Sequence, residues 1–228
     1  MTFWYARCKY TWMQRDANTD YTHPDFGSMA LITIDMQQDF LKGRPFEIPG
    51  TSEILPRMQE LAVAFRRTEL PIVHMVRLYK SDASNVDLCR RRAVAQGAAI
   101  VRPGTPGAEL APHLLPAPEV NLDADLLFSG APQPLGAREW AMYKPRWGAF
   151  FQTSLEQHLL ALRVTSLAFT GCNFPNCPRT SIYEASERDF RIVLVADAVS
   201  GLYDQGRKEL QDIGVMLMTA GQLARTIG

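Results

Sequence analysis

Cys177 stands in the stretch Thr170-Gly171-Cys172-Asn173-Phe174-Pro175-Asn176-Cys177-Pro178-Arg179-Thr180, and it is the residue of this chain best placed for covalent chemistry. The preceding residues 165–169 are apolar enough to read as a buried strand, and the chain from Pro178 onward reads as a helix. Proline suits a first helical turn, because its fixed φ is already helical and its missing N–H is not needed there. A helix start carries free N–H groups and a partial positive charge, surroundings that favour a thiolate. Two polar residues stand at comparable junctions: Asp35 just past an apolar strand at 29–34, and Lys144 just past a strand at 137–143. A thiol, a carboxylate to carry its proton and an ammonium to hold a thiolate are the parts of nucleophilic acyl transfer. The Cys177 N–H and neighbouring turn amides could receive the oxyanion. Taken singly, each residue has an ordinary reading: a buried structural cysteine, a loop-capping aspartate, a solvated lysine. Their coincidence at three strand ends carries the functional reading.

The elements that must position them follow from periodicity. Six strands are expected at 29–34, 72–77, 137–143, 165–170, 191–196 and 215–218, with room for a short hairpin near Leu126 before the third. Helical stretches fall at 51–68, 85–96, 150–162, 179–189, 205–212 and 220–225, with a proline- and glycine-rich loop at 102–118. Alternating strands and helices imply an α/β fold, a doubly wound, mostly parallel six-stranded sheet with helices on both faces. Ligands of such sheets bind beyond the carboxyl ends of the strands, at the switch point of the strand order. One domain over 29–228 is expected. Ahead of it, residues 1–28 form an extension holding Trp4, Tyr5, Tyr10, Trp12 and Tyr21, too aromatic for a simple disordered tail.

Composition excludes several classes. In 228 residues, 24 lysines and arginines balance 24 aspartates and glutamates, so no bulk charge draws nucleic acid or an anionic membrane. The Arg90-Arg91-Arg92 run reads as a solvated helix face. No apolar run reaches the roughly 18 residues of a membrane span, and residues 1–20 lack a signal-peptide core; a cytoplasmic protein is expected. Four scattered cysteines do not make a disulfide framework. Cys172 and Cys177 have neither redox-pair nor zinc-knuckle spacing, although a disulfide between them would make a redox sensor. The turn after the first strand, Asp35-Met36-Gln37-Gln38-Asp39-Phe40, has no Gly-x-Gly-x-x-Gly, and no Walker lysine motif occurs, which argues against dinucleotide binding.

Three motifs in order, Ile34-Asp35-Met36-Gln37-Gln38-Asp39-Phe40, Lys144-Pro145-Arg146-Trp147-Gly148-Ala149-Phe150 with Thr153 and Leu155, and Gly171 to Thr180, resemble those of the isochorismatase-like cysteine hydrolases, which include nicotinamidases and N-carbamoylsarcosine amidohydrolase. The resemblance runs from about Ala30 to Ile227. It implies an Asp35-Lys144-Cys177 triad, a non-proline cis peptide at Cys172–Asn173, an oxyanion hole from the Asn173 and Cys177 amides, and a homo-oligomer, dimer or tetramer. Gly104 to Glu109 also resembles a family loop near the active site. The nicotinamidase branch binds a metal through Asp-x-His and a second histidine; here the region reads His74-Met75-Val76-Arg77-Leu78-Tyr79, so no metal and no cofactor are expected, and His74 reads as a core residue. The resulting expectation is a metal-independent cysteine hydrolase cleaving a C–N bond of a small amide, lactam, ureido or carbamoyl compound through a thioester. A vinyl ether hydrolase of the isochorismatase type and a non-catalytic binding protein with the same fold are the alternatives. Phe40, Trp147 and Phe174 are candidate substrate contacts, with Tyr79 and the aromatics of the extension behind them.

Overall fold

The computed structural model describes residues 20–228; Cys8 and the extension's Trp4, Tyr5, Tyr10 and Trp12 lie outside the described residues. Seven strands form one sheet among them: β1 (Met29–Ile34), β2 (Ile72–Val76), β3 (Gln133–Gly136), β4 (Glu139–Tyr143), β5 (Ser166–Gly171), β6 (Arg191–Val199) and β7 (Met216–Met218). Their order is β3-β4-β2-β1-β5-β6-β7, parallel throughout except for β3 against β4. The expected sheet is therefore present, with one strand more than the six read from the sequence. That strand carries Pro134, which cannot donate to a ladder from a central position, and it lies at the sheet edge where this costs nothing. Its hairpin with β4 replaces the hairpin expected near Leu126, which instead lies in a short helix.

The helices are α1 (Leu55–Arg67), α2 (Leu88–Ala95), α3 (Ala124–Phe128), α4 (Leu155–Ala161), α5 (Cys177–Ser186), α6 (Asp204–Asp212) and α7 (Ala220–Ile227). None is long and apolar enough to cross a membrane. Strand alternation sorts the core into two faces. In β1, Met29 and Leu31 pack with Leu61 and Phe65 of α1 and Leu223 of α7. Ala30, Ile32 and Ile34 pack with Leu155 and Leu159 of α4, Ile182 of α5 and Leu210 of α6. Burying each such aliphatic chain contributes roughly 1.5–3 kcal/mol. α4 starts later than the expected 150–162, because Phe150 and Thr153 spend their polar groups on other partners: the Phe150 N–H donates to Glu184 and the Thr153 hydroxyl to Ala149 O.

His74, in the middle of β2, is fully buried, and both ring nitrogens are engaged, Nδ1 with Thr33 Oγ1 at 2.7 Å and Nε2 with Glu139 Oε1 at 2.8 Å. Arg66 of α1 meets the same carboxylate with two bonds of 2.7 Å. Burial pushes the Glu139 carboxyl up, but the bonds and charges of Arg66 and His74 outweigh it and hold it at about 2 against an ordinary 4.5. A depressed carboxyl contributes stability that is present above the unfolded value and is lost as pH falls through the folded one. The urea midpoint should thus drop as pH falls from 4.5 toward about 2. Glu139→Gln should lower stability by roughly 3–5 kcal/mol at neutral pH and flatten that acid limb; an unchanged limb would contradict this assignment.

Candidate active site

Gly171 closes β5 with φ +118°, and a Cβ there would stand 2.2 Å from Ile34 O and 2.6 Å from Ile34 N. The end of β5 thus presses onto the end of β1, and the turn beyond it is laid over Asp35. Cys172 N donates to Ile34 O (3.0 Å), Ser200 N to Gly171 O (3.1 Å) and Phe174 N to Ser200 O (2.8 Å), which ties the turn to both neighbouring strands. The Cys172–Asn173 peptide is cis, at the position that the resemblance implied. α5 then starts at Cys177 itself with Pro178 next, two residues earlier than expected. Asp35 and Cys177 flank the β1–β5 boundary, where the strand order reverses.

Lys144 follows β4, two strands away, and reaches back across β2. Its side chain is wholly buried and Nζ donates to Asp35 Oδ2 at 2.9 Å and to Arg146 O at 3.3 Å. The loop that carries it is clamped to α5. Ala149 N donates to Ser181 Oγ (3.0 Å), which donates to Cys177 O (2.7 Å). Gly148 lies so close to Glu184 that a Cβ would come within 2.1 Å of its carboxylate. The elements bearing Lys144 and Cys177 are therefore held together by α5.

Arg77, just past β2 and 1% exposed, sits between them. Its Nη2 donates to Cys177 Sγ at 3.5 Å and to Arg146 O at 2.8 Å. Its Nη1 pairs with Asp87, whose Oδ2 also accepts from the Tyr79 hydroxyl at 2.6 Å. Gln37 straps the same residue, accepting from Arg77 N and donating to Arg77 O and Ala108 O. The loop at Gly104 to Glu109 backs onto Gln37 and Asp39 rather than facing Cys177. Arg77 was missed because the second strand was expected to run through 77; β2 ends at Val76, which puts Arg77 one residue past a strand end like Asp35 and Lys144.

The charges set the protonation states. Burial pushes the Asp35 carboxyl up, but the Lys144 and Arg77 cations outweigh it and keep it below its ordinary value. Asp35 Oδ1 is buried with no hydrogen-bond partner among the described residues. The Cys177 thiol lies beside the carboxylate and also favours its ionised form, without a bond of normal geometry. For Cys177 the outcome reverses the expectation from the helix start. Burial and the Asp35 carboxylate push the thiol up, and Lys144 and Arg77 only partly offset them. The resting pair is thus a thiol beside a carboxylate. Cys172 is pushed up further by burial and by Asp35, and its Sγ–H donates to Asp35 O at 3.2 Å. Cys89, Cys172 and Cys177 are all free thiols.

Asp35, Cys177, Phe40, Trp147 and Asn173 line one small cavity of about 20 Å³, room for little more than a water. The Asn173 and Cys177 amides make no hydrogen bond among the described residues. Ile48, Cys172, Asn176 and Arg90 complete the wall. Phe174 does not face it: it is fully buried in the core, edge-on to Tyr203 (centroids 5.4 Å apart) and tight against Gly206. An aromatic in a turn carries no period to tell its direction, and the expectation of a substrate contact had no such guide. Tyr79 is likewise buried, in the Arg77–Asp87 cluster. Of the arginine run, Arg91 and Arg92 are exposed as expected, while Arg90 turns inward. Larger surface grooves, of about 540 and 740 Å³, lie away from these groups. Among the described residues no cluster of three or more His, Cys, Asp or Glu could hold a metal ion, so the residues present do not fit the metal of the nicotinamidase branch.

The isochorismatase domain model matches residues 29–222, and the chain belongs to the isochorismatase family, a family of hydrolases. A probable inactive nicotinamidase of Arabidopsis thaliana is 27% identical over 197 residues, 83% of this chain and 91% of that protein. N-carbamoylsarcosine amidase of Arthrobacter sp is 27% identical over 192 residues; the match covers 78% of this chain but 65% of that relative, just under two thirds of its length. The crystal structure of an isochorismatase family protein from Desulfovibrio vulgaris superposes with a TM-score of 0.74 at 26% identity, covering 88% of this chain and 98% of that one.

Removing the Arg77 cation should push the Cys177 thiol further up. In Arg77→Met the pH profile of Cys177 alkylation by iodoacetamide should move to higher pH by about one unit or more. Arg77→Lys, which keeps the charge, should move it less. Coincident profiles for all three proteins would show that Arg77 does not act on the sulfur.

Proposed function

We propose that this chain is a metal-independent cysteine amidohydrolase that cleaves a C–N bond of a small amide, lactam, ureido or carbamoyl compound through a thioester. The observation that carries the reading is the meeting of Cys177 and Asp35, its Oδ1 unpartnered, at one cavity whose amides are unbonded, with Lys144 bonded to Asp35 from behind. The amidase among its relatives supports the class of bond.

The chemistry follows from the protonation states. As Sγ attacks the carbonyl carbon, the thiol proton passes to Asp35 Oδ1 and the carbonyl π pair moves onto oxygen. Asn173 N–H and Cys177 N–H are the donors available to that oxyanion. Collapse re-forms the carbonyl and breaks the C–N bond, and the amine leaves with the proton that Asp35 holds. Water then attacks the thioester and gives a proton to Asp35, and the C–S bond breaks as that proton returns to sulfur. One amide and one water become one acid and one amine. Lys144 and Arg77 keep Asp35 ionised between steps and lower the cost of the developing thiolate. A thiol that is neutral at rest, with its base in place, is poised for attack coupled to proton transfer.

A panel of amides, ureas and lactams, assayed for ammonia or amine release, should yield a substrate. On it Cys177→Ala should lose about 10³-fold or more in kcat with the circular dichroism spectrum retained, and Asp35→Asn about 10²–10⁴-fold. Turnover surviving in Cys177→Ala would remove the thiol from the mechanism.

A further inference from the structure

Arg90 is the one lysine or arginine lining the Cys177 cavity, and that mechanism has no use for it. It comes from α2, is half-buried, and lines the cavity with Trp147 on the exposed side. Its Nη1 donates to the Tyr79 hydroxyl at 3.0 Å. That phenol is itself fixed: burial keeps it protonated, against the pull of Arg77 and Arg90, and its O–H is committed to Asp87 Oδ2. Arg90 is thereby aimed by a neutral group, and no carboxylate lies within 4.0 Å of its guanidinium among the described residues.

Among the described residues, the ion pairs around the cavity leave one lining cation without a carboxylate. Asp35 is matched by Lys144 and Asp87 by Arg77, each through a direct ion pair. Arg90 remains over. A guanidinium is planar, always charged and more weakly hydrated than an ammonium, and it meets carboxylates through two parallel N–H···O bonds. Removing such a cation partly from water without a partner is unfavourable unless a ligand compensates. The buried walls, Asp35, Cys172 and Cys177, are tied into the fold. Arg90 and Trp147 stand with Ile48, Asn173 and Asn176 on the side of the cavity that reaches solvent, where a substrate would enter.

Resting on the cysteine-hydrolase reading above, we infer that the substrate of this site is an amide that also bears a carboxylate, and that Arg90 is the residue that binds that carboxylate and sets the preference for acidic over neutral amides. Matched alkylating agents test this without knowledge of the substrate. Iodoacetate and iodoacetamide deliver the same carbon to sulfur and differ in carrying a carboxylate or a neutral amide. The rate ratio of iodoacetate to iodoacetamide at Cys177, read by peptide mass spectrometry, should be higher in the wild type than in Arg90→Gln by about 10-fold or more. Arg90→Lys should recover part of the ratio. Arg92→Gln, which removes an equal charge from the exposed face of the same helix, should leave the ratio unchanged. If Arg90→Gln and the wild type give the same ratio while both label Cys177, Arg90 is not the anion site and the cysteine mechanism stands. If Arg92→Gln lowers the ratio as much as Arg90→Gln, the preference is a diffuse field and the assignment to Arg90 falls. If neither reagent labels Cys177 in the wild type, the thiol is not a nucleophile, and both readings fall together.

Discussion

The ion pair between Lys144 and Asp35 is the constraint around which this site is built. Both side chains are buried, and either charge alone would be strongly destabilising there. Satisfying them requires the loop after β4 to reach across β2 to the loop after β1. That reach leaves the carboxyl end of β2 directly beneath the site, and the residue there, Arg77, becomes part of it. The supporting contacts make sense in these terms. Ser181 and Glu184 hold the Lys144 loop against α5, Gln37 holds Arg77 at both its N–H and its carbonyl, and the contact of Gly171 with Ile34 fixes how closely Cys177 can approach Asp35.

The electrostatic result is a division of labour. Two cations keep one carboxylate ionised, and that carboxylate in turn keeps the neighbouring thiol protonated. Such an arrangement does not store a free thiolate, which would be exposed to oxidation. In the mechanism proposed above, the thiolate forms only as the sulfur attacks, with the proton moved a single step to Asp35. Cys172, also buried but bound to a backbone carbonyl, is a second thiol that the same environment keeps protonated.

Much of this was legible in the residues themselves. A parallel sheet places every strand's carboxyl end at one edge, so polar residues immediately past apolar runs assemble there on the sequence pattern alone. Asp35, Lys144 and Cys177 were found that way, and His74, in mid-strand, was correctly left in the core. What was not legible depends on direction and on competing distances. Phe174 lies in a turn, where no period says which way a ring points. α2 is short and weakly patterned, so nothing along the Arg90-Arg91-Arg92 run marked the first as the inward one. The helix start at Cys177 argued for a lowered thiol, and only the proximity of Asp35 and the depth of burial reversed the sign. Pro134 obscured an edge strand because proline is disfavoured in strands in general, not at their unpaired side.

An acyl-enzyme on Cys177 is the central claim, and partitioning between water and hydroxylamine measures it without requiring the intermediate to accumulate. Amides that share one acyl group and differ in their leaving amine would be turned over in the presence of hydroxylamine, and the ratio of hydroxamate to acid determined for each. A common thioester requires one constant ratio across the series, whatever the leaving amine. A ratio that varies with the leaving amine would contradict it, since the nucleophile from solvent would then be meeting the amide before its C–N bond has broken.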